Sequence, residues 1–538
     1  MQKLLIIASL IVLSSCSTLI MNQGFKSYKS DIVKTNGYKK ANLFQQDLLY
    51  LNDLCVNSFP DIDNVFPKQK REQIVDSLMK LLSHNITDRQ VYNGYVRFYL
   101  SHFDNQHTNI SGLNSKSIFP YILHFVGSKW YLWDISNDYD SLLIGKQVTK
   151  LNDKSIDIAE NELFQYVFAE NDVNKRNQVS VFMNRPDLLK QFGIIKQSDS
   201  ILISFENGES VWIKTVTNDK DLHFRLGQKR FGNNAITKYL NHNYNIALNP
   251  VENYAYFQFN RCNDKIDSYE TMSDYLKPWI VPFAKLYLNR QIKKKNNQKT
   301  HGYVDVDRPV FKEYLKLMFD SIKKQGIDNL IIDLRYNPGG SSLLCNQLLY
   351  YLTEKENLKD FTKMYCLSDF NKQIDKKEYN NFIITYDNNH KAPPEKGRLY
   401  PNGFLNCDSS FFEKIENRKS PYYISKERKV FNGKVIVLAN YGTGSAAALL
   451  TTLLQDNNIA IVIGTSVGNN PIGATIMQPF RLPNSKFSGS VATGYLIRPN
   501  PTKGKFQIPD YWIENNVDNL VTGKDMVLEK AKELIKKK

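Results

Sequence analysis

The sequence predicts an α/β protein whose second half forms a mainly parallel sheet covered by helices. Short apolar runs typical of strands alternate there with patterns of helical periodicity. Such alternation favours parallel strands, because each helix returns the chain to the same end of the sheet. The predicted strands are 254–259, 329–334, 435–439 and 459–463, and the predicted helices are 310–325, 343–352 and 446–454.

Two polar stretches interrupt this alternation and are predicted to be insertions. They lie at about 268–307 and 354–432, and both are rich in Lys, Asn and Tyr. Neither has the sustained periodicity of a core element.

The first half of the chain has a different pattern. Residues 42–115 carry apolar side chains at helical spacing and are predicted to form a helical region. Residues 116–220 begin with a dense aromatic run typical of strands and continue with a second strand-and-turn pattern at 145–154. We therefore predict a second, strand-containing unit there, followed by the α/β domain over 221–538.

The N-terminus has the features of an export signal. Lys3 precedes an apolar run at 4–13, and Leu13-Ser14-Ser15-Cys16 resembles a bacterial lipobox, in which the thiol is acylated and the chain is cut before it. The run is shorter than a transmembrane helix needs. We predict a signal over 1–16, a tether over 17–41 and attachment of the lipid to Cys16. This places the protein in the bacterial cell envelope, with outer-membrane sorting compatible with Ser17; the alternative is an ordinary secretory signal with an incidental cysteine.

The net charge of the chain does not by itself exclude any class of binding partner. The net charge is +16, which would suit an anionic partner, but the basic residues are spread and cluster only at 293–295 and 536–538. The chain lacks the basic-aromatic motifs of single-strand binders, and an exported protein has little access to nucleic acid. We predict that the partners of the protein are a polypeptide and the membrane, and that it does not bind nucleic acid.

The cysteines and histidines do not indicate a metal or a cofactor. Besides Cys16 there are five cysteines, none in a CxxC pair, so a structural zinc site is not predicted. His102 and His107 are five residues apart and do not share a helix face. One or two disulfides could form in an oxidising compartment, and the sequence does not say which. The five cysteines are Cys55, Cys262, Cys345, Cys366 and Cys407.

A glycine turn follows the strand at 329–334. Gly339 and Gly340 end the run Arg-Tyr-Asn-Pro-Gly-Gly, and glycines permit positive φ and close backbone approach. Adjacent glycine amides can bind an anion or an oxyanion. The same residues can also form an ordinary turn.

Ser445 follows the strand at 435–439 and begins an alanine-rich helix. The amides and the dipole of a helix N-terminus favour developing negative charge, which suits a nucleophile. The alternative is that Ser445 is an N-cap, a common role of serine. A nucleophilic serine needs a base, and none of the eight histidines lies near it in the sequence.

Five motifs, in the same order, resemble those of the C-terminal-processing (tail-specific) serine peptidases, and of their tricorn-core-like branch in particular. The resemblance covers about 42–538 apart from the two insertions. It implies a Clp protease/crotonase-like catalytic domain over 221–538 and a degenerate PDZ-like segment over 116–220. The motifs are the strand and turn at 330–340, the turn at 443–447, the run at 463–468, Pro509-Asp510 with the closing helix, and 103–108, which is similar to the branch's Asp-Gly-His-Thr signature.

The resemblance also implies roles for individual residues. Ser445 would be the nucleophile and His107 the general base. The backbone amides of Gly339 or Gly340, and of Ala446, would form the oxyanion hole. The implied activity is hydrolysis of unfolded proteins or oligopeptides through an acyl-enzyme, without a metal or organic cofactor.

Two positions depart from the family pattern. Asn469 follows Gly468 where the tail-specific branch has a lysine base, so a Ser-Lys dyad is not expected. The tricorn-like branch has a glutamate shortly before the Pro-Asp, whereas 501–507 contains no acidic residue; Gln507 is the nearest polar candidate, and Glu514 lies beyond. Two functions therefore stay open: an active serine peptidase, or an inactive protein of the same fold that binds a peptide or an apolar ligand.

Overall fold

The computed structural model describes most of the chain beyond its N-terminal segment. The predicted signal over 1–16, with Cys16, lies outside the described residues. Within them, no helix combines the length and the apolar character needed to cross a membrane. The described residues are 28–84, 88–112, 115, 117–217, 242–294, 300–301, 304–305, 309–354, 358–374, 376–389, 392–401 and 412–536.

The N-terminal region is helical, as predicted. Asn42 caps the second helix through a reciprocal capping box with Gln45, which satisfies amides at its first turn. Leu51, Tyr99 and Phe103 are almost fully buried in the core between the helices. The helices are α1 (Asn36–Lys40), α2 (Leu43–Ser58), α3 (Ile62–Val65), α4 (Lys68–Leu81) and α5 (Arg89–Ser101), preceded by a 3-10 turn at Asp31–Lys34.

The predicted tether over 17–41 is wrong for its last part. Tyr28 and Tyr38 are buried in the helical core, and the hydroxyl of Tyr50 donates to the carbonyl of Tyr28 at 2.9 Å. Isolated aromatic residues carry no periodicity, so only packing against α2 reveals that this segment is folded.

The middle region forms a separate core around a four-stranded antiparallel sheet, in which the strands follow one another in the order Lys154–Ser155, Val148–Leu151, Ser200–Phe205 and Ser210–Lys214. Leu123, Trp130, Leu151 and Ile203 lie in this core and are at most 1% exposed. Its PDZ-like character stays a prediction. The elements from 109 to 214 are β1 (Asn109–Ile110), β2 (Tyr121–Val126), β3 (Lys129–Ile135), β4 (Val148–Leu151), β5 (Lys154–Ser155), α6 (Ile156–Phe164), α7 (Asp172–Phe182), α8 (Pro186–Gln191), β6 (Ser200–Phe205) and β7 (Ser210–Lys214), with a 3-10 turn at Ser141–Leu143.

The third region contains the predicted parallel sheet. Its elements are β8 (Tyr244–Asn249), β9 (Tyr254–Phe259), α9 (Lys265–Tyr275), α10 (Val281–Lys294), β10 (Thr300–His301), β11 (Val304–Asp305), α11 (Phe311–Lys324), β12 (Asn329–Asp333), α12 (Ser342–Leu352), β13 (Thr362–Cys366), α13 (Asp369–Ile374), α14 (Lys376–Asn389), β14 (Leu399–Pro401), α15 (Glu413–Glu416), β15 (Lys434–Ala439), α16 (Ser445–Asp456), β16 (Ala460–Gly464), β17 (Gly473–Arg481), β18 (Ser488–Ile497), β19 (Tyr511–Trp512), α17 (Val517–Thr522) and α18 (Met526–Lys536), with 3-10 turns at Pro278–Ile280 and Pro501–Lys503.

The six-stranded sheet has the order β19-β16-β15-β12-β9-β8, and its strands are parallel except for β8 against β9. Leu330, Ile331 and Ile332 of β12 are all fully buried. Strands that are covered on both faces carry continuous apolar runs, which is why the sequence predicted them correctly. The α/β fold class is confirmed.

The stretch predicted as an insertion over 354–432 contributes to a second sheet. β13 pairs with β18 and with β14, and β1 pairs with β18 at Gly489 and Ser490. The stretch at 268–307 likewise contains most of α9 and all of α10. The insertion character of the two stretches stays a prediction, although the stretch at 354–432 supplies a strand that the sequence did not reveal. β13 is five residues long, shows no alternation of apolar and polar residues, and pairs with β18.

Two features of this fold assemble the candidate site. The parallel strands β12, β15 and β16 end at the same edge of the sheet, so the turns that follow them meet there. The pairing of β1 with β18 brings the segment after α5 to the same edge.

Candidate active site

Ser445 lies at the first position of α16, immediately after the turn that ends β15. Its φ is +45°, in the left-handed region that L-residues other than glycine seldom adopt. The N-cap of α16 is Gly444, and Ser445 makes no cap hydrogen bond. The N-cap interpretation of Ser445 is therefore wrong.

The side chain of His107 faces Ser445. The distance from His107 Nε2 to Ser445 Oγ is 3.2 Å, although the two residues are 338 positions apart. β18 holds the histidine backbone, since Ser490 Oγ donates to the carbonyl of His107 at 2.8 Å and the amide of Ala492 donates to Thr108 Oγ1. This geometry lets His107 accept the hydroxyl proton of Ser445.

An acidic residue that the sequence did not reveal lies behind His107. Glu170 Oε1 is 3.7 Å from His107 Nδ1, and both side chains are nearly buried. This separation is longer than a hydrogen bond, and within the described residues His107 Nδ1 makes none. Catalytic hydrogen bonds are often long before substrate binds. The three side chains therefore have the arrangement of a Ser-His-Glu triad in which the distance between His107 and Glu170 exceeds that of a hydrogen bond.

Neighbouring groups hold the carboxylate of Glu170 in place. Asn469 Nδ2 and Asn105 Nδ2 donate to Oε1 at 3.0 and 3.3 Å, and the amide of Asn470 donates to Oε2 at 2.7 Å. Glu170 precedes the helix α7, which begins after the N-cap Asn171. No sequence signal distinguishes Glu170 from other acidic residues, because only the tertiary fold brings this segment next to 103–108.

Asn469 connects Ser445 to Glu170. Its Oδ1 accepts from the amide of Ser445 at 2.6 Å, while its Nδ2 donates to Glu170 and to Gln106 Oε1. Asn174 donates both to Gln106 and to the carbonyl of Gly468, which fixes the loop that carries Asn469. At position 469, where the expected lysine is absent, the chain therefore has a buried asparagine that contacts both Ser445 and Glu170.

The turn at 337–340 packs directly against Ser445. A Cβ on Gly339 would lie 2.6 Å from the carbonyl oxygen of Gly444 and 2.7 Å from the Cβ of Ser445. The φ of Gly339 is +97°, and that of Gly340 is +135°. Only glycine fits this approach and this backbone conformation.

The three predicted oxyanion amides are not equivalent. The amide of Gly339 donates to Asn337 Oδ1 at 2.9 Å and is therefore already engaged. In the described part of the chain, no group accepts from the amides of Gly340 and Ala446. The prediction that the amide of Gly339 donates to an oxyanion is therefore corrected. Gly339 matters because it has no side chain, and the amides of Gly340 and Ala446 remain as the available donors.

A buried ion-pair network anchors the start of this turn. Arg335 pairs with Asp333 at 2.7 Å and with Asp525 at 2.8 Å, and all three side chains are 2% exposed. Tyr256 donates to Asp333 from the neighbouring strand. Loss of one partner would leave a buried charge without compensation, so the network favours a single conformation of the turn.

Gln507 and Glu514, the candidates near the Pro-Asp, lie elsewhere. Gln507 is buried and donates to Gln455 Oε1 at 3.1 Å, ten residues along α16 from Ser445 or roughly 15 Å along the helix axis. Glu514 lines a cavity, and burial raises the pKa of its carboxyl group, although the amide of Gly127 partly opposes this by hydrogen bonding. Neither residue replaces the missing acid.

The cavity lies between the middle region and the six-stranded sheet and has a volume of about 120 Å³. His124 lines it from β2 and Asn177 from α7, while Tyr441, Thr465 and Glu514 line it from the loops after the sheet strands. These segments also carry Ser445, Asn469 and Asn174, so the cavity adjoins the site.

Among the described residues, no cluster of three or more His, Cys, Asp or Glu side chains is arranged to hold a metal ion.

Comparison with known proteins shows what this chain is similar to. Residues 300–511 match the model of peptidase family S41, whereas no curated protein sequence gives a significant match. The structure of mature CPAF aligns with a TM-score of 0.58 at 13% sequence identity, over 92% of this chain and 96% of that chain. Mature CPAF complexed with lactacystin aligns with a TM-score of 0.56 at 14% identity, over 92% and 97% of the two chains. At such identities the two structures show a common fold, and the resemblance to the tail-specific serine peptidases is confirmed by the match of residues 300–511 to peptidase family S41.

Proposed function

We propose that this protein is a serine peptidase that cleaves unfolded proteins or oligopeptides with Ser445 as its nucleophile. The observation that carries the proposal is the 3.2 Å contact between His107 Nε2 and Ser445 Oγ, with Glu170 on the opposite side of the imidazole. The match to peptidase family S41 supports a polypeptide substrate.

The proposed reaction proceeds through an acyl-enzyme. Ser445 Oγ attacks the carbonyl carbon of the scissile bond while His107 Nε2 takes the hydroxyl proton. The amides of Gly340 and Ala446 donate to the oxyanion of the tetrahedral intermediate. His107 then gives the proton to the leaving amine, and the C–N bond breaks. Water, deprotonated by His107, hydrolyses the ester on Ser445 and restores the free hydroxyl.

Glu170 acts in this proposal as a positioning residue for His107. Its carboxylate faces Nδ1, so it favours the tautomer with the proton on Nδ1 and leaves Nε2 free to accept from Ser445. It also stabilises the imidazolium that forms during the reaction. The main argument for an inactive binding protein was the missing acid near the Pro-Asp, and that argument weakens because Glu170 occupies the equivalent chemical role from another segment.

Glu170→Gln is expected to lower kcat by about 10²- to 10⁴-fold, because an amide neither stabilises the imidazolium nor selects the productive tautomer. KM should change little, since Glu170 is buried behind His107 and does not face substrate. Steady-state kinetics on a fluorogenic peptide separate the two constants. The matched control is Glu162→Gln, which removes a partner of Lys154 outside the site. A Glu170→Gln enzyme with the wild-type kcat would contradict the role proposed for this residue.

We also propose that the protein is anchored to the cell envelope by a lipid on Cys16. The support is the lipobox-like sequence, and the buried Tyr28 lies only twelve residues after Cys16 in the chain. The intervening segment would place the peptidase close to the membrane surface.

Cys16→Ser is expected to prevent incorporation of labelled palmitate and to release the protein from the membrane fraction, because a serine is not acylated at this position. Thr18→Ala, next to the predicted cleavage site, should keep the label. Labelling of the Cys16→Ser protein would rule the anchor out, as would a wild-type protein that is exported without any lipid.

A further inference from the structure

Two cysteines that the proposed mechanism does not use lie side by side beneath the catalytic turn. The Sγ atoms of Cys262 and Cys345 are 3.5 Å apart, and the side chains are 0% and 4% exposed. The other two described cysteines, Cys55 and Cys366, are also buried and have no second described cysteine sulfur within bonding distance. The sequence left the pairing of the cysteines open.

Both cysteines are held by groups that form the base of the candidate site. The amide of Cys262 donates to the carbonyl of Gly339 at 3.0 Å, and its carbonyl accepts from the amide of Ser341 at 2.7 Å. Cys345, on α12, has its thiol 3.5 Å from the carbonyl oxygen of Ala446. The two sulfurs therefore lie where the segment after β9, the glycine turn, and the first turns of α12 and α16 meet.

We infer that Cys262 and Cys345 form an intramolecular disulfide when the chain folds in an oxidising compartment. Two thiols lose two protons and two electrons, and the S–S bond forms while a disulfide oxidant, such as oxidised glutathione or a disulfide oxidoreductase, is reduced to two thiols. The sulfurs need to approach from 3.5 Å to about 2.05 Å, a movement that side-chain rotation and a small backbone adjustment provide.

The bond is expected to form during folding rather than afterwards. The hydrogen bond with Cys262, and then burial, raise the pKa of the Cys345 thiol. A thiol that stays protonated and is screened from solvent reacts slowly with an external disulfide. In the unfolded chain both thiols are accessible, and folding brings them together.

The disulfide would affect the site by cross-linking the chain on either side of the glycine turn. A disulfide would close a loop of more than eighty residues that contains β12 and the glycine turn, and such a cross-link stabilises the folded state by restricting the unfolded chain. Formation of the bond does not depend on the proposed peptidase activity. It is compatible with the proposed export, because structural disulfides persist in oxidising compartments and are rare in the cytosol.

The test is a refolding experiment on the full chain. The protein is unfolded with reductant, refolded in a buffer of reduced and oxidised glutathione, alkylated, and digested with trypsin without reduction. The expected product is the peptide 262–265 linked to the peptide 336–355, lighter than their sum by two hydrogen atoms. Relative to protein refolded with reductant only, the thermal midpoint should rise on the order of 5 °C.

Two variants keep the inference testable. Cys345→Ser should lose the linked peptide and the rise in midpoint, whereas the matched control Cys366→Ser should keep both. The inference is overturned if peptides 262–265 and 336–355 are recovered alkylated from oxidatively refolded wild-type protein, or if either cysteine is instead found linked to Cys55, Cys366 or Cys407. Because the readout is a mass, this outcome is distinguishable from a failure of the proposed activity.

Discussion

Ser445→Ala is expected to abolish cleavage of an unfolded protein mixture, with a loss in kcat on the order of 10⁴- to 10⁶-fold. The reason is that Ser445 Oγ lies 3.2 Å from His107 Nε2, and removal of that oxygen leaves the base without a nucleophile to activate. The fold should be retained, because Gly444 and not Ser445 occupies the N-cap of α16. Mass spectrometry of newly formed termini measures the effect, and the thermal midpoint checks the fold.

Two comparisons make this result specific. The control Ser77→Ala removes an exposed hydroxyl on α4 and should cleave at the wild-type rate. His107→Ala should lose about as much activity as Ser445→Ala, and the double variant should lose no more, because the two residues act as one unit. Labelling with a fluorophosphonate, which reacts with activated serines, should fail in each of these inactive variants. Persistent cleavage by Ser445→Ala protein would mean that the nucleophile is another residue.

Gly339→Ala is expected to lower kcat by at least about 10²-fold, the size of effect that follows a displacement of about 1 Å in a catalytic group. The new Cβ would lie 2.6 Å from the carbonyl oxygen of Gly444 and 2.8 Å from the amide nitrogen of Ala446. These are backbone atoms that cannot rotate away, so the turn and the start of α16 must separate. The separation moves the amides of Gly340 and Ala446 apart, and with them the proposed oxyanion donors.

Gly326→Ala is the matched control for this effect. Gly326 also has a positive φ, +64°, but a Cβ built there meets no atom within 4 Å. Gly326→Ala should carry only the strain of the left-handed backbone, about 1 kcal/mol, whereas Gly339→Ala should be destabilised further by its backbone clash; thermal unfolding measures both. Only Gly339→Ala should also lose kcat. Equal kinetics for the two variants would show that the approach of the glycine turn to Ser445 is not needed for turnover.

The parallel sheet and the two glycine-containing turns could be predicted from the sequence because their signals are local. β12 and β15 are continuous apolar runs, and each leads directly into the turn that carries candidate groups, so Gly340 and Ser445 were found from neighbouring residues alone. The pairing of Ser445 with His107 required the resemblance to a family, since spacing within the chain did not select one histidine from eight. β13 was missed because it is a five-residue run without alternation of apolar and polar residues, and its strand conformation depends on pairing with β18.

The local sequence by itself determined where a strand ends, where a turn needs glycine and where a helix begins with a serine, because these depend on backbone conformations of a few adjacent residues. Tertiary structure alone decided that Glu170 lies behind His107, that Asn469 connects Ser445 to that acid, and that the amide of Gly339 is already engaged. It also decided that Cys262 and Cys345 are neighbours. The physical reason is that hydrogen bonds and thiol contacts depend on distances of a few ångströms between segments far apart in the chain, and no local pattern of residues encodes those distances.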